Sequence, residues 1–224
     1  MSRDRTGGGR RRRRRAHVAC PTVPPSDRPI PRFVAEPPRE AAPYGRFGEV
    51  LEDHFLAACA RIETDEEIGE PQTVSWFPDR TLAGRTYVPA TAATTQGYEL
   101  FGYVSFTREH DGAEAIDFVV VADFTDETAE ANPDWALDLS DQELLTWRGR
   151  GDRRGMLALV WGVALVEGGA TATAELGPDT LDQCDLAGDR FTLVSLDSDG
   201  GDLLEVKLWD SGGAELAGES LYEE

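Results

Sequence analysis

The 224-residue sequence predicts an α+β domain: a mostly antiparallel β-sheet, curled into a barrel or split into two layers, with an N-terminal helix packed on it and one short helix inserted. Three observations carry that expectation. One long stripe of apolar residues at helical spacing stands near the start of the folded part. A hairpin signal with two apolar faces fills residues 97–125. After it, short apolar or alternating segments are punctuated by Gly and Asp, the pattern of successive hairpins.

Residues 1–33 hold ten arginines, six of them consecutive at 10–15, and a proline-rich stretch with few large apolar residues. Such a segment buries no core, so a disordered tail is expected, or a segment upstream of a later start at Val34. The Arg run also matches a nucleic-acid foot or a nuclear-type address, but it has no interleaved aromatics and its sign opposes everything after it. Residues 34–224 are expected to form a single acidic domain.

In residues 45–65, Phe47, Val50, Leu51, Phe55, Ala58, Cys59 and Ile62 make the helical stripe, and Gly69 and Pro71 stop it. His54 lies beside that stripe with no nucleophile in helical reach, which favours a packed histidine over a catalytic base. Residues 73–89 read as short strands around Trp76 and Tyr87, broken at Pro78-Asp79 and Gly84, and 90–96 read as a loop. The hairpin follows. If Asp111-Gly112 is a two-residue loop, Thr107 faces Ile116, Tyr103 faces Val120 and Phe101 faces Ala122. The hairpin is then expected in mid-sheet, with the helix over the Tyr103 and Val120 face and more sheet over the Val104 and Val119 face, because a pair with one face in water would alternate cleanly.

Residues 126–138 are an acidic connector. Ser140 and Glu143 form a capping box with Leu139 and Leu144 as its staple, which predicts the inserted helix over 141–148. The basic cluster at 148–154 reads as a surface loop. Residues 156–166 and 170–176 read as a second hairpin about Gly168-Gly169, 177–188 as a turn-rich connector, and 190–196 with 203–209 as a third hairpin; 215–222 supply a last strand. The acidic turn at 197–202 does not match a calcium loop, since Asp202 and Leu208 stand where an EF-hand needs Gly and Glu.

Charge bounds the function. Removing the ten arginines and two aspartates of residues 1–33 from the 22 basic and 42 acidic residues leaves 12 against 40, a balance of −28. Such a domain repels nucleic acid and anionic lipid and favours cationic partners. No apolar run is long enough to span a membrane. Cys20, Cys59 and Cys184 are odd in number and widely spaced, which fits a reducing cytoplasm and buried thiols better than disulfides or zinc. No Walker A, GxGxxG, GxSxG or HExxH motif occurs, so no catalytic, cofactor-binding or metal-binding residue is assigned and no cofactor is expected. The leading expectation is a non-enzymatic binding protein for a basic protein partner. The alternative is a small-molecule carrier or enzyme with a cavity inside the sheet near Tyr98, Tyr103 or Trp161. A third view takes the acid excess as adaptation, with no partner at all.

Overall fold

A computed structural model describes residues 32–148, 154–199 and 201–221. The expectations for residues 1–31 and for the centre of the basic cluster fall outside those residues. Among them there is one helix, α1 (Gly45–Cys59), in which Gly48, Leu51, Phe55 and Cys59 recur at three- to four-residue spacing on the buried side. The rest is antiparallel sheet. A first sheet runs β1 (Ser75–Trp76), β3 (Arg85–Ala93), β4 (Glu99–Thr107), β5 (Ile116–Thr125), with β2 (Arg80–Leu82) also on β3. A second runs β10 (Arg190–Leu196), β7 (Arg154–Ala164), β6 (Leu137–Arg148). A third runs β11 (Ser198–Asp199), β12 (Asp202–Asp210), β8 (Gly169–Leu176), β9 (Asp179–Asp185), with β13 (Glu215–Ser220) on β12.

The apolar contacts stack these elements in order. α1 sets Leu51 and Phe55 against Leu100, Val104 and Phe106 of the first sheet, with the Phe47 ring 5.2 Å from Phe106 and His54 stacked on Phe118 at 4.5 Å. The opposite face of that sheet, with Tyr103, Phe101 and Val121, meets Leu157, Leu159, Trp161 and Val194 of the second. The second sheet's other face, Ala158, Val160, Phe191 and Leu193, meets Ala172, Ala174, Leu204, Val206 and Leu208 of the third. Strands β7 and β10 are therefore covered on both sides, which is why residues 156–166 are apolar without alternation. Each Leu or Phe fully buried there contributes about 1.5–3 kcal/mol of transfer free energy. Phe33 packs with Leu176, Leu181 and Leu196 at one end of the stack.

One ion pair ties the first sheet to the third. Arg80, 2% exposed, meets Asp182, 12% exposed, through Nη2 at 2.6 Å from Oδ1 and 2.5 Å from Oδ2. The same carboxylate accepts the Val194 N–H at 2.8 Å, so Asp182 closes part of the open edge of β10.

Several expectations are corrected. Asp111-Gly112 does centre a turn, with the Ala113 N–H donating to the His110 carbonyl at 3.0 Å, and Thr107 does face Ile116. Beyond that pair β5 carries one extra residue. Asp117 takes φ 56 and is held by Arg85, which bonds its carbonyl at 3.0 Å and its carboxylate. This bulge makes Tyr103 face Val121, and Phe101 face Asp123. Phe118, Val120, Ala122 and Phe124 thereby join Leu100, Val104 and Phe106 in the cluster under α1, so the helix covers the expected face of β5 but the opposite face of β4, and the hairpin, expected in mid-sheet, has β5 at the sheet's edge.

The helix expected at 141–148 is instead part of β6. A capping box contributes about 1 kcal/mol, whereas β6 supplies the ladder that satisfies the otherwise open edge of β7 from Leu137↔Ala164 to Arg148↔Arg154. Strands β7 and β8 exist, and so do β10 and β12, but neither couple is a hairpin. β7 pairs with β6 and β10, and β8 with β9 and β12. Both connections cross from the second sheet to the third, because strands apolar on two faces must form a middle layer. The connector at 177–188 contains β9, and the loop at 90–96 is β3 as far as Ala93. β13 lies where the last strand was expected.

Candidate acidic cleft

Where β6 begins, it lies across the start of β4. Glu99 is the first residue of β4 and faces Thr125 at the end of β5; Phe101, two residues on, shares its side of the strand. The connector is folded back by short-range bonds, the Asn132 amide donating to the Thr128 carbonyl at 2.9 Å and the Trp135 N–H to the Asn132 carbonyl at 3.1 Å. This places Glu127 and Trp135 beside Asp138 and Asp141 of β6. Together they line a cleft of about 190 Å³ with Phe101, Thr125, Leu139, Ser140 and Gln142.

Among the described residues, four carboxylates and two aromatic rings line this cleft. Burial first, and the neighbouring Asp138 charge second, push the Glu99 carboxyl up to about 7. The arrangement offers two kinds of chemistry. Carboxylates beside aromatic faces attract an organic cation by Coulomb and cation–π terms together. A carboxyl that is half protonated near neutrality, next to a second carboxyl group, is also an acid/base pair in waiting.

A larger hollow of about 280 Å³ lies under the start of α1, floored by Phe47, Leu51, Val88 and Phe106. Its arginines are engaged. Arg39 meets Glu36 at 2.8 Å and Asp111 at 2.5 Å, and Arg108 lies over the Phe47 and Phe106 rings at 4.8 and 5.1 Å.

The residues singled out in the sequence lie elsewhere. Tyr103 and Trp161 are buried between the first and second sheets, and Tyr98 packs edge-on against Phe124 at 5.6 Å; none of the three lines the acidic cleft or the hollow under α1. Cys59 and Cys184 are buried free thiols, and burial pushes the Cys59 thiol up to about 11 and Cys184 upward as well, away from nucleophilic use. Half-buried His54 is occupied by its stack on Phe118. Asp197 of the acidic turn accepts the Met156 N–H at 2.8 Å and the Ser198 hydroxyl at 3.1 Å. Among the described residues no three His, Cys, Asp or Glu are grouped to hold a metal ion, and no helix is long and apolar enough to cross a membrane.

Glu99, Asp138 and Asp141 were not singled out in the sequence. Asp138 stood at the end of a connector and Asp141 in the expected helix. The one available signal was Glu99 itself, an acid opening an otherwise apolar strand. Compared with known protein families, with curated proteins and with solved structures, the chain matches none.

Proposed function

We propose that this protein binds a basic protein partner, and that the cleft around Glu99 receives an arginine or lysine side chain of that partner. The observation that carries the reading is the composition of the cleft, in which Glu99, Glu127, Asp138 and Asp141 stand with the rings of Phe101 and Trp135. The domain's −28 balance supports it from long range, because a strongly acidic surface speeds encounter with a basic protein and repels acidic competitors.

Binding and proton affinity are linked at Glu99. An incoming cation favours the carboxylate, so binding near neutrality releases protons and strengthens as pH rises through about 7. The test is a calorimetric or NMR titration with N-acetyl-arginine amide at pH 6 and pH 8. Tighter binding at pH 8, weakening with added salt and lost in Glu99→Gln and Asp138→Asn, is the expected result. Equal affinity in those variants places the cation elsewhere and sinks the reading.

A second reading, an enzyme using Glu99 and Asp138 as acid and base, draws on the same raised carboxyl. It requires turnover of an added substrate that Glu99→Gln abolishes while leaving arginine amide affinity only modestly changed.

A further inference from the structure

We propose that β5 is a docking edge: an extended segment of a basic partner adds to it as one more strand, with apolar side chains at one end and a cationic side chain reaching the acidic cleft at the other. The cationic end rests on the cleft reading above. The apolar end stands on separate observations.

β5 is the outermost strand of the first sheet and, among the described residues, pairs with β4 alone. Its ten residues, IDFVVVADFT, contain neither proline nor lysine, the usual guards of an open edge. Its guards are the bulge at Asp117, at one end of the strand, and the carboxylate of Asp123 toward the other. From Val119 to Thr125 the ladder with β4 is regular, and regular backbone with a free outer edge is the template that strand addition uses.

The side chains near that edge have an order. Ile116, Val119, Val121 and Asp123 stand opposite Thr107, Ser105, Tyr103 and Phe101, so all four project from the face turned toward the second sheet. Leu145 of β6 stands opposite Leu157, whose side chain faces the first sheet. Ile116 is 48% exposed, and Val119 and Leu145 are each 46% exposed. These half-exposed apolar residues thus share the faces of β5 and β6 that the first and second sheets turn toward one another. Moving along β5 from Val119, the face changes from apolar to Asp123, about 13 Å away at roughly 3.3 Å per residue, and then to Thr125 and Glu99 in the cleft.

A strand laid along β5 with a side chain on that face at every second position therefore meets apolar, apolar, acid, acid. The complementary segment reads apolar-x-apolar-x-basic-x-basic in one direction or the other. A second copy of this chain fits poorly, because it brings another −28 of like charge and a face of the same order.

The probes are the peptide acetyl-Thr-Val-Thr-Val-Thr-Arg-Thr-Arg-amide, the same peptide with its order reversed, and N-acetyl-arginine amide, each titrated into the full chain. One peptide order is expected to bind at least tenfold tighter than arginine amide and to slow hydrogen exchange at the outward amides of β5. In the double variant Val119→Ser/Leu145→Ser, both sites already being half exposed, the peptide should fall to the arginine amide's affinity while arginine amide itself binds as before.

Binding of neither order more tightly than arginine amide overturns the proposal, as does tight binding without protection of β5. Protection of β5 in peptide-free protein that sediments as a dimer also overturns it, since the occupant is then a second copy. If arginine amide does not bind but a peptide protects β5 and needs Val119 and Leu145, strand addition stands and the cleft reading fails.

Discussion

Replacing Glu99 by glutamine should stabilise the protein, and by an amount that depends on pH. The carboxyl ionises near 7 in the folded chain against an ordinary value near 4.5. Between those values the folded chain keeps a proton that the unfolded chain has lost, so stability falls as pH rises through the window and the loss is complete above about 7. At about 1.4 kcal/mol per tenfold change in proton affinity, the full penalty is about 3 kcal/mol. Glutamine has nearly the shape of the protonated acid and does not titrate. Thermal melts of parent and Glu99→Gln should therefore nearly coincide toward pH 4.5 and separate to roughly 6 to 12 °C at pH 8, taking 2 to 4 °C per kcal/mol for a domain of this size. Using the difference between the two proteins cancels the titration of the many other acids. Melting curves that stay parallel from pH 5 to pH 8 would refute the displaced ionisation, and with it the claim that binding and protonation are coupled in the cleft.

Two further outcomes test the architecture. Asp182→Ala leaves the Arg80 guanidinium and the Val194 N–H buried without their acceptor, and should cost about 3 to 5 kcal/mol in urea unfolding; a loss below about 1 kcal/mol means that the first and third sheets are joined by packing alone. Gly102→Ala sets a Cβ 2.0 Å from the Val121 carbonyl oxygen and 2.9 Å from the Ala122 Cα, so β4 and β5 must part and the variant should not fold at 37 °C, whereas a parent-like melt by circular dichroism would show that the β4–β5 register is misassigned.

How much of this was legible in the sequence follows from the range of each interaction. The helix was legible because Leu51, Phe55 and Cys59 repeat within one element, and the turn at Asp111-Gly112 because its chemistry is contained in two residues. The bulge was not. Its extra residue, Asp117, is stabilised by Arg85, which lies 32 positions earlier on another strand, and nothing within residues 97–125 announces that pairing. The error had a large effect, since a one-residue offset moves every side chain of β4 to the other face relative to those of β5. Residues 141–148 show the opposite failure. The local signal was real and pointed to a helix, but the unsatisfied edge of β7 outweighed it, as tertiary context commonly outweighs propensity. The cleft combines both difficulties, because Glu99 and Asp138 come together only if the bulged hairpin and β6 are placed correctly.

The middle sheet also explains where function can reside in this chain. Leu157, Leu159, Trp161, Leu193 and Val194 are all fully or almost fully buried, as in a close-packed layer covered on both faces. Tyr103 and Trp161, near which a cavity was expected, are themselves buried in the packing that makes residues 156–166 apolar. Chemistry is left to the margins, where strands end and sheets part. At the margin between β5 and β6 the half-exposed Val119 and Leu145 lie along the strand from the cleft of Glu99, Asp138 and Asp141. Apolar surface alone at an open edge invites indiscriminate pairing. Acid at one end of that edge makes the pairing selective, because an acidic strand brings like charge to Asp123 and the cleft, while a basic one brings opposite charge.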